Sequence, residues 1–204
     1  MGCLYGVIKS ESEGSLFKCP FCRTPETTSE GEAFERLKTR VEAGDAHAIF
    51  NLGNAYHDGD EGLRQDYEKA NKLFLQAGEL GCADGYFNLG NSYFNGEGVE
   101  RDTKKAKHYY ELAAVGGDAA SRYNLGVFEE QAGNKSMSLQ HWMISVGAGH
   151  NNSLKAIGQA FQAWHVTNDD MANALRAYKE AIAEMKSDLR DAAAADENFA
   201  QHLR

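Results

Sequence analysis

The decapeptide FNLGNAYHDG at residues 50–59 returns as FNLGNSYFNG at 87–96. A chain that repeats itself at this interval folds as a row of stacked units, each in contact with its neighbours, and not around one central core. A third copy, YNLGVFEEQAG, stands at 123–133. Successive copies carry their glycine at Gly53, Gly90 and Gly126, with a degenerate fourth at Gly158, in steps of 37, 36 and 32 residues. That period is the length of one helical hairpin.

Each copy has a second half in register with the first. Small residues at Ala70, Ala106, Ser138 and Ala174 are followed four positions on by Phe74, Tyr110, Trp142 and Tyr178. Three further on come Ala77, Ala113, Ser145 and Ala181, so that small, aromatic and small residues form one stripe of a helix. Turn chemistry separates the halves. DGDEGLRQD at 58–66 and NGEGVERD at 95–102 hold paired glycines and end in aspartate. Gly59 and Gly96 suit left-handed helix ends, and Asp66 and Asp102 suit the start of the next helix. In the third copy QAGNKS takes the place of this loop and leaves Gly133 and Asn134 to turn the chain. A glycine inside a helix costs about 1 kcal/mol against alanine, and close approach of the paired helix is what compensates for Gly53, Gly90 and Gly126. The aromatics Phe50, Phe87, Tyr123, Tyr56 and Tyr93 read as core by their spacing.

Only Pro20 and Pro25 occur, so nothing after residue 25 forbids a continuous helix. GEAFERLKTRVEAG at 31–44 places Ala33, Phe34, Leu37 and Val41 on one face and predicts a lone capping helix over 30–44. Repeats are expected at 45–82, 83–117 and 118–149, with a degenerate copy at 150–185. The alanine-rich, charged residues 186–204 predict a polar C-terminal helix or tail that frays.

The pattern A-x-A-x-[FY]-N-L-G-x-x-Y-x-x-G, then a glycine loop, then D-x-x-K-A-x-x-x-[FYW]-x-x-A, closely resembles the Sel1-like repeat, a relative of the tetratricopeptide repeat. Residues 83–117 fit at nearly every position, although Gly85 stands where alanine is usual. Copy three keeps YNLG and has Glu129 in place of the tyrosine. The resemblance implies an all-α, right-handed α-solenoid of stacked hairpins. It also implies a non-enzymatic scaffold or adaptor that binds a protein or peptide partner. First helices of such hairpins line the concave side, where Asn51, Asn54, Asn88, Asn91 and Asn124 lie off the packing stripe. These amides suit the backbone of an extended peptide, and they equally suit hydrogen bonds to the neighbouring repeat.

Catalysis finds no seat. The phosphate-binding, dinucleotide-binding and nucleophile-elbow glycine motifs are absent, and seven histidines show neither H-x-x-x-H nor H-E-x-x-H spacing. Cys82, at a repeat junction, reads as a small apolar residue. A net charge of −9 argues against nucleic acid and anionic membranes. The acidity lies in residues 45–204, which hold 23 of the 30 acidic and 15 of the 21 basic residues. The cluster RDTKKAK at 101–107 is a local, salt-sensitive exception. No small-molecule substrate is expected. The sequence has no apolar run near the ~18 residues of a membrane span and no leader-like segment. A cytoplasmic or nuclear location is the default.

One motif stands apart from the repeats. KCPFCRTP at 18–25 has the C-x-x-C spacing of a redox dithiol or half a zinc site. A redox pair needs its first thiolate at a helix start, and Pro25 with ETTSEG after it allows no long helix there. CPFCR instead resembles the closing knuckle of a RING finger, and MGCLYGVI resembles the segment around an earlier ligand. That resemblance implies Cys3, Cys19 and Cys22 as zinc ligands, Arg23 as the arginine supporting ubiquitin transfer, and Leu4 and Pro20 beside the surface for a conjugating enzyme. Five of the eight ligands are missing, so zinc and no other cofactor is expected, and only if the finger is completed. The remnant, residues 1–29, is expected to be irregular and to descend from a longer parent. It leaves a second reading of the chain as the substrate-recruiting part of a RING-type ubiquitin ligase.

Overall fold

A computed structural model describes residues 30–60, 62–163 and 166–201, with side chains described for 33–60, 62–163 and 166–184. The readings at Cys3, Cys19, Cys22 and Arg23 lie outside the described residues. Among the described residues there are nine α-helices and no strand. The first seven are α1 (Glu30–Glu42), α2 (Ala46–Asp58), α3 (Tyr67–Glu79), α4 (Ala83–Asn95), α5 (Thr103–Val115), α6 (Ala119–Gln131) and α7 (Lys135–Gly147). Then come α8 (Asn151–Gln162) and α9 (Asn168–Gln201). Helix α9 continues through residue 185 as one element, so the second helix of the last hairpin and the polar terminal segment are a single rod.

Turn chemistry sets the helix ends as the sequence indicates. Gly59 and Gly96 close α2 and α4 in the left-handed region, at φ 77° and 83°. The Asp66 carboxylate accepts from the Lys69 amide at the start of α3, and Asp102 accepts from the amides of Lys104 and Lys105 at the start of α5. Asp45 and Asp118 cap α2 and α6 in the same way.

Helices α2 and α3, α4 and α5, and α6 and α7 pair as hairpins, and each second helix also packs on the first helix of the next copy. Helix α1 covers α2 at one end, and α9 touches both α7 and α8 at the other. The interior is a chain of linked clusters. Phe74, Tyr110 and Trp142, the aromatics of the second-helix stripe, are almost wholly buried. Burial of a side chain this large contributes about 1.5–3 kcal/mol. Phe50, Phe87, Tyr123, Tyr56 and Tyr93 are only half-buried. They pack against the rim of those clusters, whose centres are filled by the second-helix stripe together with Ile49, Leu89, Leu125 and Ile157 of the first helices.

The glycine column explains why. A Cβ at Gly53 would come 2.7 Å from the Phe74 ring, one at Gly90 would come 2.7 Å from the Tyr110 ring, and one at Gly126 would meet the Trp142 indole. Each glycine is the floor on which the paired helix lays its aromatic, which is the compensation the sequence called for.

Candidate functional site

Helices α2, α4 and α6 present one face of the stack, and the asparagines of the NLG motif sit on it. Asn88 Nδ2 donates to Asn54 Oδ1 across neighbouring copies at 3.0 Å. One copy further on, the Tyr110 hydroxyl donates to Asn91 Oδ1 at 2.8 Å. Burial pushes the Tyr110 phenol up to about 12, and a hydrogen bond with Asn124 opposes that shift. Phe74, in the equivalent place of the first hairpin, has no hydroxyl, so there the two asparagine positions bond directly. Asn51 is exposed, whereas Asn54, Asn88, Asn91 and Asn124 are half-buried.

A small aromatic patch continues this face. Phe94 is 39 % exposed and meets Phe128 edge-to-face, with ring centroids 6.0 Å apart. The Arg101 guanidinium lies 5.7 Å from the Phe94 ring centroid, and its Nε donates to the Phe94 carbonyl at 3.0 Å. Phe94, Tyr110, Asn124, Val127, Phe128 and Gln131 line a shallow pocket of about 70 Å³. Sequence reading missed Phe94 and Phe128. Phe94 stands four residues after Gly90 and Phe128 two after Gly126, and the signal available was aromatic character at positions that the repeat pattern leaves open.

Charged contacts join consecutive copies. Lys107 Nζ on α5 donates to Glu129 Oε1 at 2.7 Å, and Asn134 Nδ2 donates to Glu129 Oε2 at 2.7 Å. The Glu129 carboxyl, itself buried, is held below the ordinary carboxylate value by Lys107 and then Asn134. In the earlier copies the tyrosine in this place interacts with a lysine through its ring: Lys69 over Tyr56 and Lys105 over Tyr93. His57 lies 2.7 Å from Asp58 and 3.4 Å from Glu97 of the next copy. Burial pushes its imidazole down, and the two carboxylates outweigh that and raise it above its usual value. Among the described residues, His47, Cys82 and Asp84 bring metal-capable donor atoms together.

Stacked hairpins, an aromatic-on-glycine interior and a polar face on the first helices define the chain as an α-solenoid. Residues 46–82 and 83–118 each match the Sel1 repeat family model, so over these two hairpins the solenoid is of the Sel1 type. The fold has solved counterparts. A crystal structure of a Sel1 repeat protein from Oxalobacter formigenes superposes with a TM-score of 0.66 at 24% identity, covering 75% of this chain and 64% of that one. Another is c5321, a protective antigen present in uropathogenic Escherichia coli strains and displaying an SLR fold. It matches with a TM-score of 0.61 at 31% identity, over 74% of this chain and 33% of that one. A stretch of 99 residues is 34% identical to the ERAD-associated E3 ubiquitin-protein ligase component HRD3B of Arabidopsis thaliana. It spans 48% of this chain and 15% of that protein, so this chain corresponds to a small part of its curated relative. No helix among the described residues is long and apolar enough to cross a membrane.

Proposed function

We propose that the chain is a non-enzymatic scaffold that holds a protein or peptide partner on the concave face formed by α2, α4, α6 and α8. The observation that carries this reading is the row of asparagine amides running into the exposed Phe94 ring, which rests against the half-buried Phe128. A side-chain amide has two donors and two acceptor lone pairs. In the Asn88–Asn54 pair Asn88 spends one donor and Asn54 one acceptor, so the amides keep capacity for a peptide backbone. The pocket beside Asn124 suits one apolar side chain of that peptide.

The test combines Asn88→Ala, Asn124→Ala and Phe94→Ala in the full chain. Proteins retained by the immobilised natural chain should be lost from the triple variant while helicity persists and the melting temperature falls only slightly. Retention unchanged in a folded variant would remove the reading. A melting temperature that collapses with binding would assign these amides to structure.

A second reading rests on the match to a ubiquitin-ligase component together with CPFCR at 19–23. On it, the repeats recruit substrates to a RING-type ligase, and Cys3, Cys19 and Cys22 hold zinc once the finger is completed. Autoubiquitination supported by the full chain and abolished by Arg23→Ala would establish it. Its absence with a panel of conjugating enzymes would leave the scaffold alone.

A further inference from the structure

His47, Cys82 and Asp84 lie far apart in the sequence and meet at one edge of the solenoid. His47 is in the first turn of α2, Cys82 is the residue before α4, and Asp84 is in the first turn of α4. Each occupies a helix start in consecutive copies, so the repeat itself brings them into register. Cys82 Sγ is 3.6 Å from His47 Nδ1, and a carboxylate oxygen of Asp84 joins them with all three donor atoms within 4.8 Å of one another.

That spacing has a physical meaning. In a tetrahedral zinc site, bonds of about 2.3 Å to sulfur and about 2.0–2.1 Å to imidazole nitrogen place the two donors about 3.5 Å apart. The sulfur and nitrogen therefore already stand at the separation that two ligands of one ion require. We propose that His47, Cys82 and Asp84 form a mononuclear site for a borderline divalent metal, zinc(II) above all, which clamps the first Sel1 repeat to the second.

The surroundings support a cation. At the equivalent helix starts Asp45 and Asp118 cap through their side chains, whereas Cys82 makes no capping bond and turns its sulfur to His47. Arg40 is already engaged with Asp45 at 2.6 Å. Metal binding displaces the thiol proton, which leaves to solvent. Cys82 is 2 % exposed while His47 and Asp84 are exposed, so the ion sits at the surface with its remaining position open to water.

The test titrates cobalt(II) into the full chain carrying Cys3→Ser, Cys19→Ser and Cys22→Ser, which removes every other thiol. One saturable equivalent should appear with a thiolate-to-cobalt charge-transfer band, and zinc(II) should displace it and raise the melting temperature. Cys82→Ser in that background should abolish the band and the zinc-dependent shift, while serine, a favoured residue at a helix start, can supply the side-chain cap that Cys82 lacks and so support the fold. His47→Asn and Asp84→Asn should each weaken binding by at least the ~10-fold that loss of an outer-shell partner costs. The proposal is overturned if the thiol-depleted chain shows no charge-transfer band. It is equally overturned if Cys82→Ser or His47→Asn leaves cobalt affinity unchanged.

Discussion

The first junction between repeats and the last are built on one plan and filled in opposite ways. At the α3–α4 junction Gly85 faces the Phe74 carbonyl, and a Cβ there would also come 2.8 Å from the Gly78 nitrogen and 3.1 Å from the Ala77 methyl. Gly78 in turn lies under the Tyr86 ring. At the α7–α8 junction Ser153 stands in the place of Gly85 and Val146 in the place of Gly78. There the Ser153 hydroxyl donates to Ser145 Oγ at 2.7 Å, and Ser145 donates to the Ala119 carbonyl at 2.6 Å. One junction is closed by backbone contact and the other by side-chain hydrogen bonds. The difference shows that a repeat can keep its period while the means of stacking changes along the row.

Gly85→Ala should therefore have the largest effect. The added methyl meets backbone atoms, which cannot rotate away, so the loss belongs at the upper end of the ~1–3 kcal/mol range for overpacking. Urea unfolding followed by circular dichroism measures it. The outcome runs against the family pattern, in which alanine at this place is usual. A neutral result would mean that the α3–α4 spacing relaxes readily and that the contrast between the junctions is slight.

Glu129→Ala comes next. It strips Lys107 and Asn134 of their shared acceptor at the α5–α6 junction and should cost about 1–3 kcal/mol. The sign with pH follows from the depressed carboxyl. A group held below its unfolded value gives stability that is complete above the ordinary carboxylate range and is lost as pH falls through the folded-state value. Acid titration of the natural chain should show this loss, and Glu129→Gln should flatten it. An identical acid profile in both would sever the carboxylate from the junction.

How far these differences could be read in advance depends on what determines them. The period, the caps at Asp66 and Asp102 and the seat of Phe74 on Gly53 follow from residue type at fixed local spacing, and they are plain in the sequence. The approach of α3 to Gly85 is not, because it is set by the distance between two backbones. The departure at Glu129 is visible as a missing tyrosine. Its partner Lys107 lies 22 residues back, across a junction. The meeting of His47 with Cys82, 35 residues apart, escapes any search for local ligand spacing, because the solenoid and not one helix brings them together. Asn54 and Asn88 are legible as a row on one face, while the bond between them depends on the stacking offset.

The smallest expected effect has the opposite sign and tests the comparison within hairpins. Gly158 continues the column of Gly53, Gly90 and Gly126, yet among the described residues a Cβ there would find only the Met171 methyl, at 3.9 Å. The aromatic of the fourth copy, Tyr178, is half-buried, and Met171 stands opposite the glycine in its place. The closeness that justifies glycine elsewhere is thus absent among the described residues, and what remains is its helical penalty. Gly158→Ala should raise stability by about 0.5–1 kcal/mol, read as a higher urea midpoint with unchanged slope. Gly90→Ala, in the same column, drives its methyl into the Tyr110 ring at 2.7 Å and should lower it. Opposite signs from one substitution at two equivalent positions would show that the column is maintained by the aromatic packed on it. Equal signs would show that the fourth hairpin closes as tightly as the second.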